Sequence, residues 1–169
     1  MPKKIAIIVL SFFLLAGCTH TTNNKKQAKE NNRKVPKLTL TSLKGKEVNL
    51  RKINEPAVIN SWAGWCAFCK KELKNFAKAQ EKFEGKVRII AINRSEPKQK
   101  AKRYTDNLGV TDKLTFLLDS NDKFYRKIGG FAMPETIFID KDGNIVFHKR
   151  GPMNFETIKQ KINQQLLNK

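Results

Sequence analysis

The pair Cys66 and Cys69 limits what this chain can fold into more than any other feature of its sequence. It sits in the stretch Ser61-Trp62-Ala63-Gly64-Trp65-Cys66-Ala67-Phe68-Cys69-Lys70, at a junction of two patterns. Before it, Ala57 to Trp62 is a short apolar run bounded by Pro56 and Gly64, which reads as a buried strand. After it, Cys69, Leu73, Phe76 and Phe83 share one helical face while Lys70, Lys71, Lys74 and Lys78 point elsewhere, and Gly85 ends the run. The spacing predicts a helix over 68–83. A C-x-x-C alone also suits zinc, but a strand before it and an amphipathic helix after it are the setting of a redox pair. Cys66 then stands at the helix N-terminus, where unpaired N–H groups and the dipole favour a thiolate, the nucleophile of disulfide exchange. The two intervening residues bring Cys69 back about one turn later. Cys66 is read as the attacking thiol and Cys69 as the resolving thiol; the competing reading is two buried structural cysteines.

The rest of the domain alternates strands and helices. Leu38 and Leu40 alternate with Thr39 and Thr41, Lys44-Gly45-Lys46 is a turn, and Glu47 to Leu50 returns as a second strand. Val87 to Asn93 is a central strand, Pro97 opens a polar helix to Leu108 closed by Gly109, and Thr115 to Leu118 is a strand. Ser120 to Ile128 is a short helix ended by Gly129-Gly130. Glu135 to Asp140 and Asn144 to Lys149 are strands joined by the turn Lys141-Asp142-Gly143. Asn154 to Leu167 closes as a helix with Phe155, Ile158, Ile162 and Leu166 on one face. This order predicts an α/β fold with a central mixed sheet flanked by helices and an extra N-terminal β-hairpin.

The chain has only three cysteines and two histidines, too few and too scattered for a disulfide framework or a structural zinc site, so no metal is expected. Cys18 has a separate reading. Lys3 and Lys4 precede an apolar run from Ile5 to Ala16 in which Ser11 alone is polar. That run is short for a membrane span and fits the core of a secretory signal. Its end, Leu15-Ala16-Gly17-Cys18, resembles a bacterial lipobox, which implies cleavage after residue 17 and lipid on Cys18. The alternative is an ordinary cleaved signal beside a coincidental cysteine. Lipidation would leave an even pair of thiols in an oxidising compartment. Thr19 to Lys34 has no large apolar residue and reads as a flexible tether, leaving 35–169 as the folded domain. The formal net charge of +19 suits anionic membrane or cell-wall polymer. Basic residues spread along an exported chain argue against nucleic acid.

Trp62-Ala63-Gly64-Trp65-Cys66-Ala67-Phe68-Cys69 resembles the W-A-x-W-C-x-x-C signature of the thioredoxin superfamily. The closest branch is the TlpA/ResA-like group of extracytoplasmic thiol–disulfide oxidoreductases. The resemblance covers about residues 35 to 168, including the segment Gly130 to Thr136 and the hairpin Phe138 to Gly143. It implies a thioredoxin-like fold and no cofactor beyond the Cys66–Cys69 disulfide. It also implies a cis bond before Pro134, whose preceding backbone receives an incoming peptide. Met133 then touches substrate, or else fills core. Trp65 and Phe68 are further candidates for contact with a client; alternatively Phe68 packs on Trp65. Thioredoxin carries a buried acid six residues before its first cysteine; here Asn60 stands there and cannot act as a base. In the ResA-like pattern a glutamate three residues after the second cysteine assists proton transfer, which makes Glu72 the candidate base for Cys69. The bland alternative is a solvated glutamate paired with Lys71 or another lysine.

Three functional readings stay open. The first is a reductase of exported protein disulfides, a monomer lipid-anchored on the outer face of a Gram-positive cytoplasmic membrane. The resemblance implies resupply by an integral-membrane carrier of the CcdA/DsbD kind. It also implies clients such as a methionine sulfoxide reductase or an apocytochrome c. Ala67-Phe68 offers no polar group to stabilise the thiolate, unlike the histidine of the strong oxidant DsbA, which leans toward this reading. The second is an oxidase that forms disulfides. The third is a tethered binding module or chaperone without turnover.

Overall fold

The computed structural model describes residues 33–168, so the signal, Cys18 and most of the tether lie outside the described residues. Within them the strands are β1 (Thr39–Ser42), β2 (Glu47–Asn49), β3 (Ala57–Trp62), β4 (Arg88–Arg94), β5 (Thr115–Asp119), β6 (Glu135–Ile139) and β7 (Ile145–Arg150). The helices are α1 (Ala67–Lys82), α2 (Lys98–Leu108), α3 (Lys123–Lys127) and α4 (Phe155–Ile162). All the strands join one sheet in the order β2-β1-β5-β4-β3-β6-β7. β3, β4 and β5 run parallel and every other pairing is antiparallel, so the sheet is mixed.

All six residues of β3 are buried because both faces of the sheet are covered there. On one face, Leu73 and Phe76 of α1, Ala101 of α2 and Ile158 and Ile162 of α4 share a core with Trp62 and Phe138. On the other, Phe124, Ile128, Leu50 and Ile53 cover Ile59, Ile90 and Ile137. The central strand thus ends with Trp62 locked between Tyr104 and Phe116, at ring separations of 5.5 and 5.8 Å. That fixes the exit of the chain toward the cysteines.

Several boundaries differ from expectation, each for a local reason. β2 stops at Asn49, whose side chain accepts the Arg51 N–H and turns the chain into a 3₁₀ turn at Leu50–Lys52. α3 begins only at Lys123, because the Asp119 carboxylate accepts the N–H groups of Lys123 and Phe124 and so sets its first turn. α4 is regular to Ile162 and then widens into a π turn at Asn163–Leu167 that still buries Leu166. Arg33 and Lys34, read from sequence as the end of the tether, pair with the β6–β7 hairpin instead. The Ile145 N–H donates to the Arg33 carbonyl at 2.7 Å, and Lys34 bridges Asn144.

Candidate active site

Cys66 is the N-cap of α1 and Cys69 lies in its first turn, joined to it by a disulfide with 5.4 Å between Cα atoms. The Cys69 N–H points at Cys66 Sγ, 3.3 Å away. No acidic residue stands in the first turn of the helix. On reduction, Cys66 therefore keeps an N–H donor and the positive end of a 16-residue helix beside its sulfur. The two residues are placed differently: Cys66 caps the helix and keeps 5% of its surface in solvent, whereas Cys69, inside the first turn, is fully buried.

The loop before Cys66 hangs on a residue that sequence reasoning did not single out. The buried Glu96 carboxylate accepts the Gly64 N–H at 2.7 Å and Asn93 Nδ2 at 2.8 Å, and meets Lys100 Nζ at 2.8 Å. Burial pushes this carboxyl up, but bonds from Lys100, Asn93 and Gly64 outweigh it and hold it below its ordinary value. A side chain at Gly64 would bring a Cβ to 3.2 Å from Glu96 Oε1, so the carboxylate would have to shift to admit it. With its neighbour fixed, Trp65 projects outward at 61% exposure, the Arg94 guanidinium 5.9 Å from its ring.

A second loop enters β6 at the end of the sheet where β3 exits, since Glu135 pairs with Ser61. The Met133–Pro134 bond is cis. Glu135, next in the chain, is fully buried and turns its carboxylate back into that loop. Its Oε1 accepts the N–H groups of Phe131 and Ala132, at 2.5 and 2.8 Å, and its Oε2 meets His148 Nε2 at 2.7 Å. Burial keeps the His148 imidazole below its ordinary pKa, against the upward pull of Glu135. Tyr125 braces the same loop by donating its hydroxyl to the Ala132 carbonyl at 2.9 Å. A Cβ on Gly130 would strike the Tyr125 ring at 2.5 Å.

Glu72 lies one turn beyond Cys69, buried rather than solvated. Its Oε1 accepts the Met153 N–H at 2.8 Å and its Oε2 accepts Asn60 Nδ2 at 3.0 Å. Burial raises its pKa to about 7, against the pull of those two bonds and of Lys149. Asn60 Nδ2 also donates to Thr136 Oγ1 at 3.0 Å, while Asn60 Oδ1 has no hydrogen-bond partner among the described residues. The amide is thus set to donate to a carboxylate. Turned over, it would accept the proton of a carboxylic acid, and the Thr136 hydroxyl could reverse with it.

Comparison with known proteins now adds to this geometry. The family model described as Redoxin matches residues 30–166. The chain belongs to the Redoxin family. Among curated relatives of this Redoxin protein, DsbE of Vibrio cholerae, a thiol:disulfide interchange protein, is 32% identical over 168 residues, covering 91% of this chain and 89% of its own. ResA of Geobacillus thermodenitrificans, a thiol-disulfide oxidoreductase, is 29% identical over 129 residues, covering 75% and 73%. The crystal structure of the exposed lipoprotein thioredoxin Etrx1 of Streptococcus pneumoniae superposes with a TM-score of 0.65 at 22% identity, covering 75% of this chain and 98% of that one. The Redoxin-family chain is a thiol–disulfide oxidoreductase of the TlpA/ResA-like kind, with a thioredoxin-like fold.

The Redoxin fold gathers Cys66, Cys69 and Glu72 at the first turns of α1, and the β3–β6 register, Ser61 opposite Glu135, brings Pro134 to the same end of the sheet at which β3 leads toward the cysteines. Met133 is half-buried and packs against the core. Phe68 is 64% exposed, much like Trp65 at 61%. Glu96 was missed because it falls between two predicted elements, and Glu135 because a glutamate opening a strand reads as its solvated end. Only the three-dimensional path shows both carboxylates facing inward. Phe131, 86% exposed beside the cis bond, is a further apolar group at the rim.

Proposed function

We propose that this Redoxin-family protein is a lipid-anchored extracytoplasmic reductase of disulfides in exported proteins, working through Cys66 and Cys69. The observation that carries the reading is the unequal placing of the two cysteines: Cys66 caps the helix and keeps a little surface in solvent, which suits the attacking role, while Cys69 is fully buried one turn on, which suits resolution. The Cys66 thiolate attacks one client sulfur, the client S–S bond breaks, and the departing sulfur takes a proton. Cys69 then gives its proton to Glu72 and attacks Cys66 Sγ. The Cys66–client bond breaks, and the client's second sulfur leaves as a thiolate that takes up a proton from Glu72 or water; the client has gained two electrons, which the cysteine pair lost in forming its own disulfide. A membrane carrier of the CcdA/DsbD kind resupplies them, and methionine sulfoxide reductase or apocytochrome c are clients of the right class. Anchoring at Cys18 is supported by Leu15-Ala16-Gly17-Cys18 and by the lipoprotein among the structural relatives. No helix among the described residues is long and apolar enough to cross a membrane.

Two measurements test this. The first is the reduction potential, equilibrated against glutathione. A reductant should lie well below the glutathione couple, toward thioredoxin at about −270 mV; a value near about −120 mV marks an oxidase and defeats the proposal.

The second is Glu72→Gln. In the wild type the resolution step should accelerate with pH and level off above about 7, as Glu72 becomes a base. The variant should lose that inflection and resolve roughly 100-fold more slowly. Stability carries an independent signature. The folded pKa of about 7 lies above the ordinary 4.5, so the fold holds a proton that the unfolded chain releases. Glu72 thus stabilises fully below pH 4.5, and that contribution is lost as pH rises through 7. The loss is on the order of 3 kcal/mol. Denaturant unfolding of the oxidised proteins should show this decline in the wild type and not in Glu72→Gln; parallel pH profiles would remove Glu72 from the mechanism.

A further inference from the structure

The charges around Cys66 are sorted by sign. Glu72, Glu96 and Glu135, on the helix and loops that frame the site, are all buried and held by protein hydrogen-bond donors. The exposed carboxylates on the framing elements are tied to cations of their own: Asp106 to Lys102, Glu156 to Lys159, and the half-buried Asp122 to Arg94. The cations are turned the other way. On one side of the cysteines, a groove of about 260 Å³ is lined by Trp65, Tyr104, Lys100 and Arg103. On the other, a groove of about 370 Å³ is lined by Phe68, Lys71, Asn75 and Met153, with Glu72 in its wall, its carboxylate taken up by the Met153 N–H and Asn60. Arg103 and Lys71 are exposed and make no ion pair among the described residues, and Lys100 keeps 58% of its side chain in solvent despite Glu96.

Each groove therefore pairs an outward aromatic ring with at least one available cation; Trp65, just before Cys66, lines one groove, and Ala67 and Phe68, just after it, line the other. We propose that the client segment crossing this site is acidic on both sides of its target cysteine, its carboxylates seated beside Lys100 and Arg103 in one groove and Lys71 in the other. The proposal rests on the reductase reading above and names its substrate class. The formal charge of +19 draws any anion toward the molecule, but the two grooves say where the anion sits. Attraction by exposed charges acts mainly on the encounter rate and is screened within about 10 Å at 0.1 M salt, so the preference must be kinetic and salt-sensitive.

The test uses the full chain, reduced with dithiothreitol and freed of excess reagent. Its substrates are three dye-labelled disulfide peptides, identical except that the residues flanking the cysteine are Glu, Gln or Lys. In about 20 mM salt the Glu peptide should be reduced roughly tenfold faster than the Lys peptide, with Gln between them; in about 500 mM salt the ratio should fall to about two. In Lys71→Glu/Arg103→Glu the ratio at low salt should fall to one or invert, and Lys71→Gln and Arg103→Gln should each lower it. The ratio is taken within one protein, so a general loss of activity cancels. Equal rates for the three peptides, or an unchanged ratio in the variants, overturn the proposal and leave the reductase reading standing. Equal rates that phosphatidylglycerol vesicles then suppress for every peptide would assign the basic face to lipid and also overturn it. If no peptide is reduced at all, the reductase reading falls and this proposal with it.

Discussion

Replacing Cys66 with alanine is expected to abolish disulfide exchange, while replacing Cys69 with alanine stops the cycle halfway. The asymmetry follows from burial. In Cys66→Ala the remaining sulfur, Cys69, is enclosed by the core and has no path to an external disulfide. Insulin reduction should drop to the rate of the dithiothreitol control, a loss of at least about 10⁴-fold for removal of an essential nucleophile. In Cys69→Ala the nucleophile, its N–H donor from residue 69 and the helix terminus all remain, because the donor is backbone. Attack proceeds, but nothing within the protein can displace the client from Cys66. One equivalent of mixed disulfide should accumulate, visible as a mass increment that dithiothreitol removes. Recovered from membranes, that adduct identifies the client. Normal turnover by Cys69→Ala, or an adduct on Cys66→Ala, would contradict the assigned order of attack. Client binding that persists unchanged in Cys66→Ala would favour a binding module.

How much of this was legible beforehand depended on whether a residue's role is local. The strand into Trp62, the helix face through Cys69, Leu73 and Phe76, and the glycine-marked turns are short-range patterns, and they gave the α/β order and the place of the cysteines. The setting of Glu72 was only half legible. Its distance from Cys69 along α1 is fixed by helical geometry, but its burial depends on Met153, 81 residues away, and on Asn60 in β3. Glu96 and Glu135 were not legible at all. Each acts by accepting backbone N–H groups of a loop, and a backbone donor leaves no mark in the sequence. Gly64 and Gly130 were the available hints: a Cβ at Gly130 would clash with the Tyr125 ring, and one at Gly64 would crowd the Glu96 carboxylate.

Glu135→Ala is expected to have the largest effect on stability of any single change near the site. The carboxylate is fully buried and serves three donors at once, so its removal leaves the Phe131 and Ala132 N–H groups without that acceptor and takes a hydrogen bond from His148. Breaking a buried charged network from one side costs about 3–5 kcal/mol. Glu135→Gln should cost about 1–2 kcal/mol, because its oxygen can still accept the loop N–H groups and its amide can donate to the imidazole. The pH dependence separates a lost charge from a lost shape. His148 is already held below its ordinary pKa of 6.5 by burial, so its contribution is present above pH 6.5 and is lost as pH falls through the folded value. Removing Glu135 takes away the opposing upward pull and lowers the imidazole further. Both variants should therefore lose stability more steeply than the wild type below pH 6.5, while only Glu135→Ala should also unfasten the 131–134 loop and slow exchange at neutral pH. Urea unfolding from pH 5 to 8, paired with single-turnover exchange, measures both; a cost below about 1 kcal/mol for Glu135→Ala would mean that Tyr125 alone suffices to hold the loop.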